Sequence, residues 1–189
     1  MEAFDPILAQ RFLVVGDSRS IPSNSWPDTL TTAITAAVSP NTWANNNVAQ
    51  GAQGAAYFST NIATILAGQP DNHTTVLINL GVNDFGVLTD PTWTADMLTT
   101  IDAIHSKWIG AQVYLMRTWK RGFDSDANTY ATSIANIVAA RPSFVHLGPD
   151  EAVWLKGSDN GATNTTDGIH YSAAGEAACV TAWRAVLGL

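Results

Sequence analysis

At 189 residues, 46% hydrophobic and only 13% charged, the chain is long enough for one well-cored domain and too apolar for a disordered segment. Nine basic against sixteen acidic side chains leave a formal net charge of −7, which excludes the basic footprint of a nucleic-acid partner. The single cysteine, Cys179, excludes an intramolecular disulfide and a Cys-rich zinc site, and no apolar run approaches the roughly 18 residues of a membrane span.

Residues 1–10 read as an N-terminal extension or a fragment of an upstream segment, with the domain proper over 11–189. The first nine residues carry acidic side chains and no basic n-region, so no signal peptide is visible. Abundant Ala, Thr, Asn and Trp with few Lys and Glu point to a secreted or particle-surface setting rather than the cytoplasm.

The first strand falls at 12–15, a continuous apolar run. A helix follows over about 26–38, with Pro27 in its first turn and Leu30, Ile34, Ala37 and Val38 at helical spacing. A second strand lies within 42–49. The next helix, about 53–67, aligns Phe58, Ile62, Ile65 and Leu66, and Gly68 and Pro70 close it. The third strand, 75–80, is the clearest. Asp90-Pro91 then opens a helix carrying Met97, Ile101, Ile104 and Trp108. A fourth strand at 112–116, a helix over about 126–140, a fifth strand at 143–147, an excursion through 150–166 and a last helix at 172–187 complete the series. His73 and His105 read as loop and helix-surface residues and His146 as part of the fifth strand. Cys179, with Trp183 and Leu187, reads as core of the last helix. Five strands alternating with helices predict a three-layer α/β/α fold around a central parallel, flavodoxin-like five-stranded sheet. There is no internal repeat and no linker, so one domain is expected.

In such a sheet the loops leaving the carboxyl ends of the strands gather on one edge, where ligands bind. The chemically distinctive residues fall in those loops. Ser18 follows the first strand through Gly16-Asp17. A serine hydroxyl needs a base, and His170 can supply one, with Asp167 three residues earlier to fix the imidazole tautomer. A tetrahedral intermediate also needs donors for its oxyanion; the Asn83 side chain and the backbone amides of Ser18 and Gly51 can provide them. Gly54 would serve as well as Gly51. Asp17 and Asp84 read as loop-holding residues. Taken singly, each of these residues is also an ordinary turn residue; the case rests on their combination.

Gly16-Asp17-Ser18, Gly51, Gly81-Val82-Asn83-Asp84 and Asp167-Gly168-Ile169-His170 resemble, in order, the four blocks of the SGNH/GDSL hydrolases, over nearly the whole chain. The resemblance implies a serine esterase with Ser18 as nucleophile, Asp167 and His170 completing the triad, Ser18, Gly51 and Asn83 forming the oxyanion hole, and no cofactor. The first block departs from the family: Arg19-Ser20 stands where an apolar residue and threonine are usual. No Gly-x-Ser-x-Gly elbow occurs, which separates the chain from the α/β-hydrolases.

Within this reading the expected substrate is a short-chain ester, acetyl above all, on a small molecule or a glycan. Trp119 and Arg121, just past the fourth strand beside Lys120, are the expected substrate contacts, with Trp26 and Trp154 near the same edge, because an indole suits a sugar ring. Arg117, Lys120 and Arg121 read either as a solvated loop or as a rim that attracts anions. The alternatives are a lysophospholipase or thioesterase of the same family, or a catalytically inactive binding module of a larger surface protein. A nucleotide-binding domain finds only Gly51-x-x-Gly54, with Ala49 where the first glycine belongs. The four dispersed histidines, His73, His105, His146 and His170, offer no metal-ligand spacing, so no metal is expected.

Overall fold

The computed structural model describes residues 10–21, 26–37, 43–156 and 162–189. In chain order the elements are β1 (Gln10–Gly16), α1 (Trp26–Ala37), β2 (Trp43–Asn47), α2 (Ala55–Ala67), β3 (His73–Asn79), α3 (Asp90–Lys107), β4 (Gln112–Arg117), α4 (Asp124–Ala140), β5 (Val145–Asp150), α5 (Ala152–Leu155) and α6 (Ala173–Val186). All strand pairings are parallel and the sheet runs β2-β1-β3-β4-β5. On the helices, α1 packs on α6 while α2, α3 and α4 form a row in which each touches the next. The sheet thus lies between two helical layers, the flavodoxin-like α/β/α arrangement expected from the sequence.

Local chemistry accounts for the layers. Phe12 to Val15 and Val76 to Ile78 are almost fully buried because β1 and β3 are central and covered on both faces, which is why they read as unbroken apolar runs. The β2 strand, Trp-Ala-Asn-Asn-Asn, is only half-buried along its length because it forms one edge. Its amides anchor it instead. Asn45 Nδ2 donates to Thr31 Oγ1 at 2.7 Å, and Asn47 Nδ2 to the Ser20 carbonyl at 2.6 Å. Between the helices, Trp26 stacks on Trp183 with 6.2 Å between centroids, and Trp93 on Tyr130 at 4.3 Å. Cys179 is buried in this core, as its place on the last helix implied.

Four expectations need correction. The fifth strand runs Val145–Asp150 rather than 143–147, and it bulges: Leu115 pairs with Leu147 but Arg117 with Asp150, so β5 carries one extra residue. The excursion after it contains α5, a single four-residue turn that carries no periodic signal. His73 is not in a loop; it opens β3, buried, with Nδ1 at 3.0 Å from the Pro70 carbonyl and Nε2 at 3.2 Å from Asn46 Oδ1. Gln10 belongs to β1 and not to the extension. The rest of the extension, residues 1–9, lies outside the described residues, as does Val38.

The connection order reverses between β1 and β3, which lie side by side although β2 separates them in sequence. The crevice above their carboxyl ends is the topological switch point of the sheet. Among the described residues no helix is long and apolar enough to cross a membrane.

Candidate active site

Ser18 sits two residues beyond the last β1 pairing, in a turn closed by the Ser20 amide on the Asp17 carbonyl at 3.0 Å. The turn is tied to β3 by the Asp17 amide on the Asn79 carbonyl (3.2 Å) and by Asn79 Nδ2 on Ser20 Oγ (3.1 Å). Asp17 is fully buried. Its Oδ1 accepts the Arg19 amide at 2.9 Å, while Oδ2 has no hydrogen-bond partner among the described residues. Burial pushes this carboxyl up to about 7, against the pull of the Arg19 charge.

His170 reaches Ser18 from the far end of the chain: its Nε2 lies 3.0 Å from Ser18 Oγ. The loop that carries it is organised by Asp167. One carboxylate oxygen, Oδ1, accepts the amides of Ile169 (2.9 Å) and His170 (2.8 Å), and the other, Oδ2, meets His170 Nδ1 at 2.7 Å. Gly168 makes this turn possible, since its φ of +86° lies in the left-handed region that side chains disfavour. The loop is then pinned on both sides, by the Thr166 amide on the His170 carbonyl (2.9 Å) and by Ser172, whose Oγ caps α6 at the Gly175 amide.

In a neutral imidazole these bonds fix which nitrogen holds the proton. The His170 amide, then the His170 ring, hold the Asp167 carboxyl down to about 2, so it is an acceptor only near neutral pH. Nδ1 must therefore donate to it, which leaves Nε2 as an acceptor facing the Ser18 hydroxyl. Both His170 and Asp167 are about half exposed, so the group opens to solvent.

Two further loops reach this crevice. Asn83 Nδ2 donates to the Gln53 carbonyl at 2.9 Å, joining the loop after β3 to the loop after β2. Asp84 turns the other way and accepts the Ala55 amide at 3.1–3.2 Å, where α2 begins with no cap of its own. Gly54 is required there, because a Cβ would stand 2.0 Å from Asp84 Oδ1. Gly51 differs: it is exposed, and a Cβ on it would meet nothing within 4 Å. Asp17 holds its own loop, as its position suggested, whereas Asp84 bonds not neighbouring backbone but the start of α2, 29 residues away.

Two of the three aromatic expectations, those for Trp119 and Trp26, fail on direction. Trp119 is 2% exposed, with its indole N–H on Asp124 Oδ1 at 2.9 Å, so it offers no face to a ligand. Trp26 is likewise buried, and its indole N–H donates to the Arg19 carbonyl at 2.9 Å. Trp154 is half-buried. Arg121, by contrast, is exposed and lies against the histidine loop, its guanidinium carbon 3.8 Å from where a Cβ on Gly168 would be.

The departure at Arg19 also finds its explanation. Arg19 is fully buried and ion-paired with Glu151, itself fully buried just beyond the β5 bulge. Glu151 additionally accepts the Tyr171 hydroxyl and, at 2.8 Å, the Trp119 amide. Sequence reasoning missed Glu151 and Tyr171. The one signal was Arg19 itself, since an arginine in an apolar position requires an acid somewhere in the fold.

No family model and no curated protein matches the sequence. Solved structures do resemble the fold. An inhibitor-bound psychrotrophic esterase, EstA from Pseudoalteromonas sp., superposes with a TM-score of 0.74 at 14% identity, over 95% of this chain and 99% of that one. A member of the lipolytic protein G-D-S-L family from Veillonella parvula gives 0.72 at 14% identity, over 95% and 97%. A carbohydrate esterase family 2 enzyme with a carbohydrate-binding domain, from Corynascus thermopiles (Myceliophthora fergusii), gives 0.69 at 19% identity, over 99% of this chain and 69% of that one. At such identities the likeness is one of fold.

Proposed function

We propose that this chain, whose fold is that of the SGNH/GDSL hydrolases, is a serine ester hydrolase acting on short acyl esters, acetyl above all, carried by a polar alcohol such as a sugar. The observation that carries the reading is the continuous relay Ser18 Oγ–His170 Nε2, His170 Nδ1–Asp167 Oδ2, at 3.0 and 2.7 Å, with the imidazole in the tautomer a base needs.

Ser18 attacks the ester carbonyl as Nε2 of His170 takes its proton, and Asp167 stabilises the imidazolium that forms. The oxyanion is met by the amides of Ser18 and Gly51 and by the second N–H of Asn83, whose first is used on Gln53. Collapse releases the alcohol, protonated by His170, and leaves an acyl-Ser18; water then repeats the sequence with His170 again as base. The close packing of Gly54 on Asp84 favours Gly51 as the oxyanion glycine.

The short-acyl preference rests on the open, half-exposed setting of His170 and Asp167, where an acyl tail would lie in water. The sugar preference rests on Arg121 beside the histidine loop and on the likeness to a carbohydrate esterase. A lysophospholipase or thioesterase would want an apolar channel next to Ser18, and an inactive binding module would have no need of the relay.

The test combines labelling and turnover. A fluorophosphonate should modify Ser18 and leave Ser18→Ala unlabelled, and that variant should lose several orders of magnitude in kcat, since only binding and oxyanion effects survive. Across p-nitrophenyl esters, activity should peak at acetate, with acetate also released from acetylated saccharides. Labelling elsewhere than Ser18 would end the hydrolase reading; a peak at octanoate without acetate release would move it to the lipid or thioester branch.

A further inference from the structure

Beside the relay lies a second, wholly buried polar group that touches all its loops. The Arg19 guanidinium donates through Nε to the Ile169 carbonyl (2.6 Å) and through Nη1 to the Trp119 carbonyl (2.8 Å) and Glu151 Oε2. Its cationic centre stands 5.5 Å from the Tyr171 ring, whose hydroxyl donates to Glu151 Oε1. Glu151 also accepts the Trp119 amide at 2.8 Å. Arg19 is covalently next to Ser18, while Ile169 and Tyr171 flank His170. One guanidinium therefore spans the 152-residue gap between the two relay partners a single residue away from each.

We propose that Arg19 is a positioning residue: held by Glu151 and Tyr171, it grips the Ile169 carbonyl and so sets the His170 imidazole against the Ser18 hydroxyl. The inference rests on the serine-hydrolase reading above. Its physical basis is that the relay itself is half exposed and its loop short, so the distance between Ser18 and His170 needs a rigid support behind it. The support is in the dry interior, where each hydrogen bond is strong and an unpaired member costly. Three acceptors in fixed directions call for the planar fork of arginine, which a lysine ammonium cannot reproduce. The bulge in β5 belongs to the device, because it falls between Leu147 and Asp150 and so sets the position at which Glu151 leaves the strand.

A purely structural ion pair would have the same appearance, so the test separates folding from positioning. Wild type, Arg19→Lys, the double variant Arg19→Met/Glu151→Leu, and Tyr171→Phe are compared by melting temperature, by kcat and KM on p-nitrophenyl acetate, and by amide hydrogen exchange over residues 167–171. The double variant leaves no buried charge uncompensated, although the Trp119 amide, the Trp119 and Ile169 carbonyls and the Tyr171 hydroxyl lose these partners, so it should fold with a lowered Tm. Its kcat should fall roughly 10–100-fold with KM within about twofold, and the Ile169 and His170 amides should exchange faster. Arg19→Lys should lose kcat in the same way. If the folded double variant keeps the wild-type kcat, the pair is only a structural brace and the proposal falls. Should it not fold, Tyr171→Phe decides, since it leaves Arg19–Glu151 intact and removes one hydrogen bond: unchanged kcat and unchanged exchange overturn the proposal, and a lower kcat at constant KM with faster exchange sustains it. An inactive, unlabelled wild type would refute the hydrolase reading instead, and hydrogen exchange would then still decide whether Arg19 holds the histidine loop.

Discussion

Exchanging each of two glycines for alanine separates the packing glycine from the proposed oxyanion glycine. In Gly54→Ala the new Cβ would stand 2.0 Å from Asp84 Oδ1, 2.7 Å from Cγ and 2.9 Å from Oδ2, so the carboxylate must leave. It then abandons the Ala55 amide it now accepts at 3.1–3.2 Å. A hydrogen bond to a charged group contributes about 1.5–3 kcal/mol, and overpacking costs about 1–3 kcal/mol more. The expected loss is therefore about 2.5–6 kcal/mol, which in a domain of this size lowers Tm by roughly 5–24 °C. Gly51→Ala meets no atom within 4 Å, so its stability should stay within about 0.5 kcal/mol of wild type. If Gly51 is an oxyanion donor, a methyl group beside its amide hinders the substrate's approach, and kcat/KM should fall about tenfold or more. Thermal melts and p-nitrophenyl acetate kinetics on both variants read the difference. A Gly54→Ala protein that melts like wild type but is slow, beside a kinetically silent Gly51→Ala, would reverse the two roles.

Two further outcomes are expected. Asn83→Ala should remove about 2.7–4 kcal/mol of transition-state stabilisation, seen as a fall in kcat at nearly constant KM; a rise in KM alone would make Asn83 a ground-state contact. Asp17, pushed up to about 7 by burial, binds its proton more tightly folded than unfolded, so its effect on stability is fully favourable below the unfolded value near 4 and declines as pH rises through 7. Some three units correspond to at most about 4 kcal/mol, and Asp17→Asn should flatten the decline in melts between pH 4 and 8; parallel profiles for the two proteins would refute it.

How much of this was readable beforehand depended on whether the signal was local. The β1 and β3 strands announced themselves because central parallel strands are apolar on both faces. The Asp167-Gly168 turn carries a local signal, because a glycine after an aspartate supplies the positive φ that the turn uses. Trp119 was misjudged because chain position places a residue at the rim without saying which way it points. The direction is set by Asp124 and Glu151, five and thirty-two residues away. Arg19 stood out as a misfit, but its partner depends on a bulge in β5 that no residue pattern announces. The short α5 turn has too few residues for any period to register.

The separation of the relay partners also has a temporal meaning. Ser18 and His170 meet only across a gap of 152 residues, and the histidine loop is fastened by Ser172 at the start of α6. A chain made from its N-terminus displays the serine long before the proposed base exists, so a nascent molecule would lack the partner that activates the hydroxyl. Under the proposed function, the onset of ester turnover would consequently mark the docking of the last helix, and activity would serve as a clock for the completion of folding.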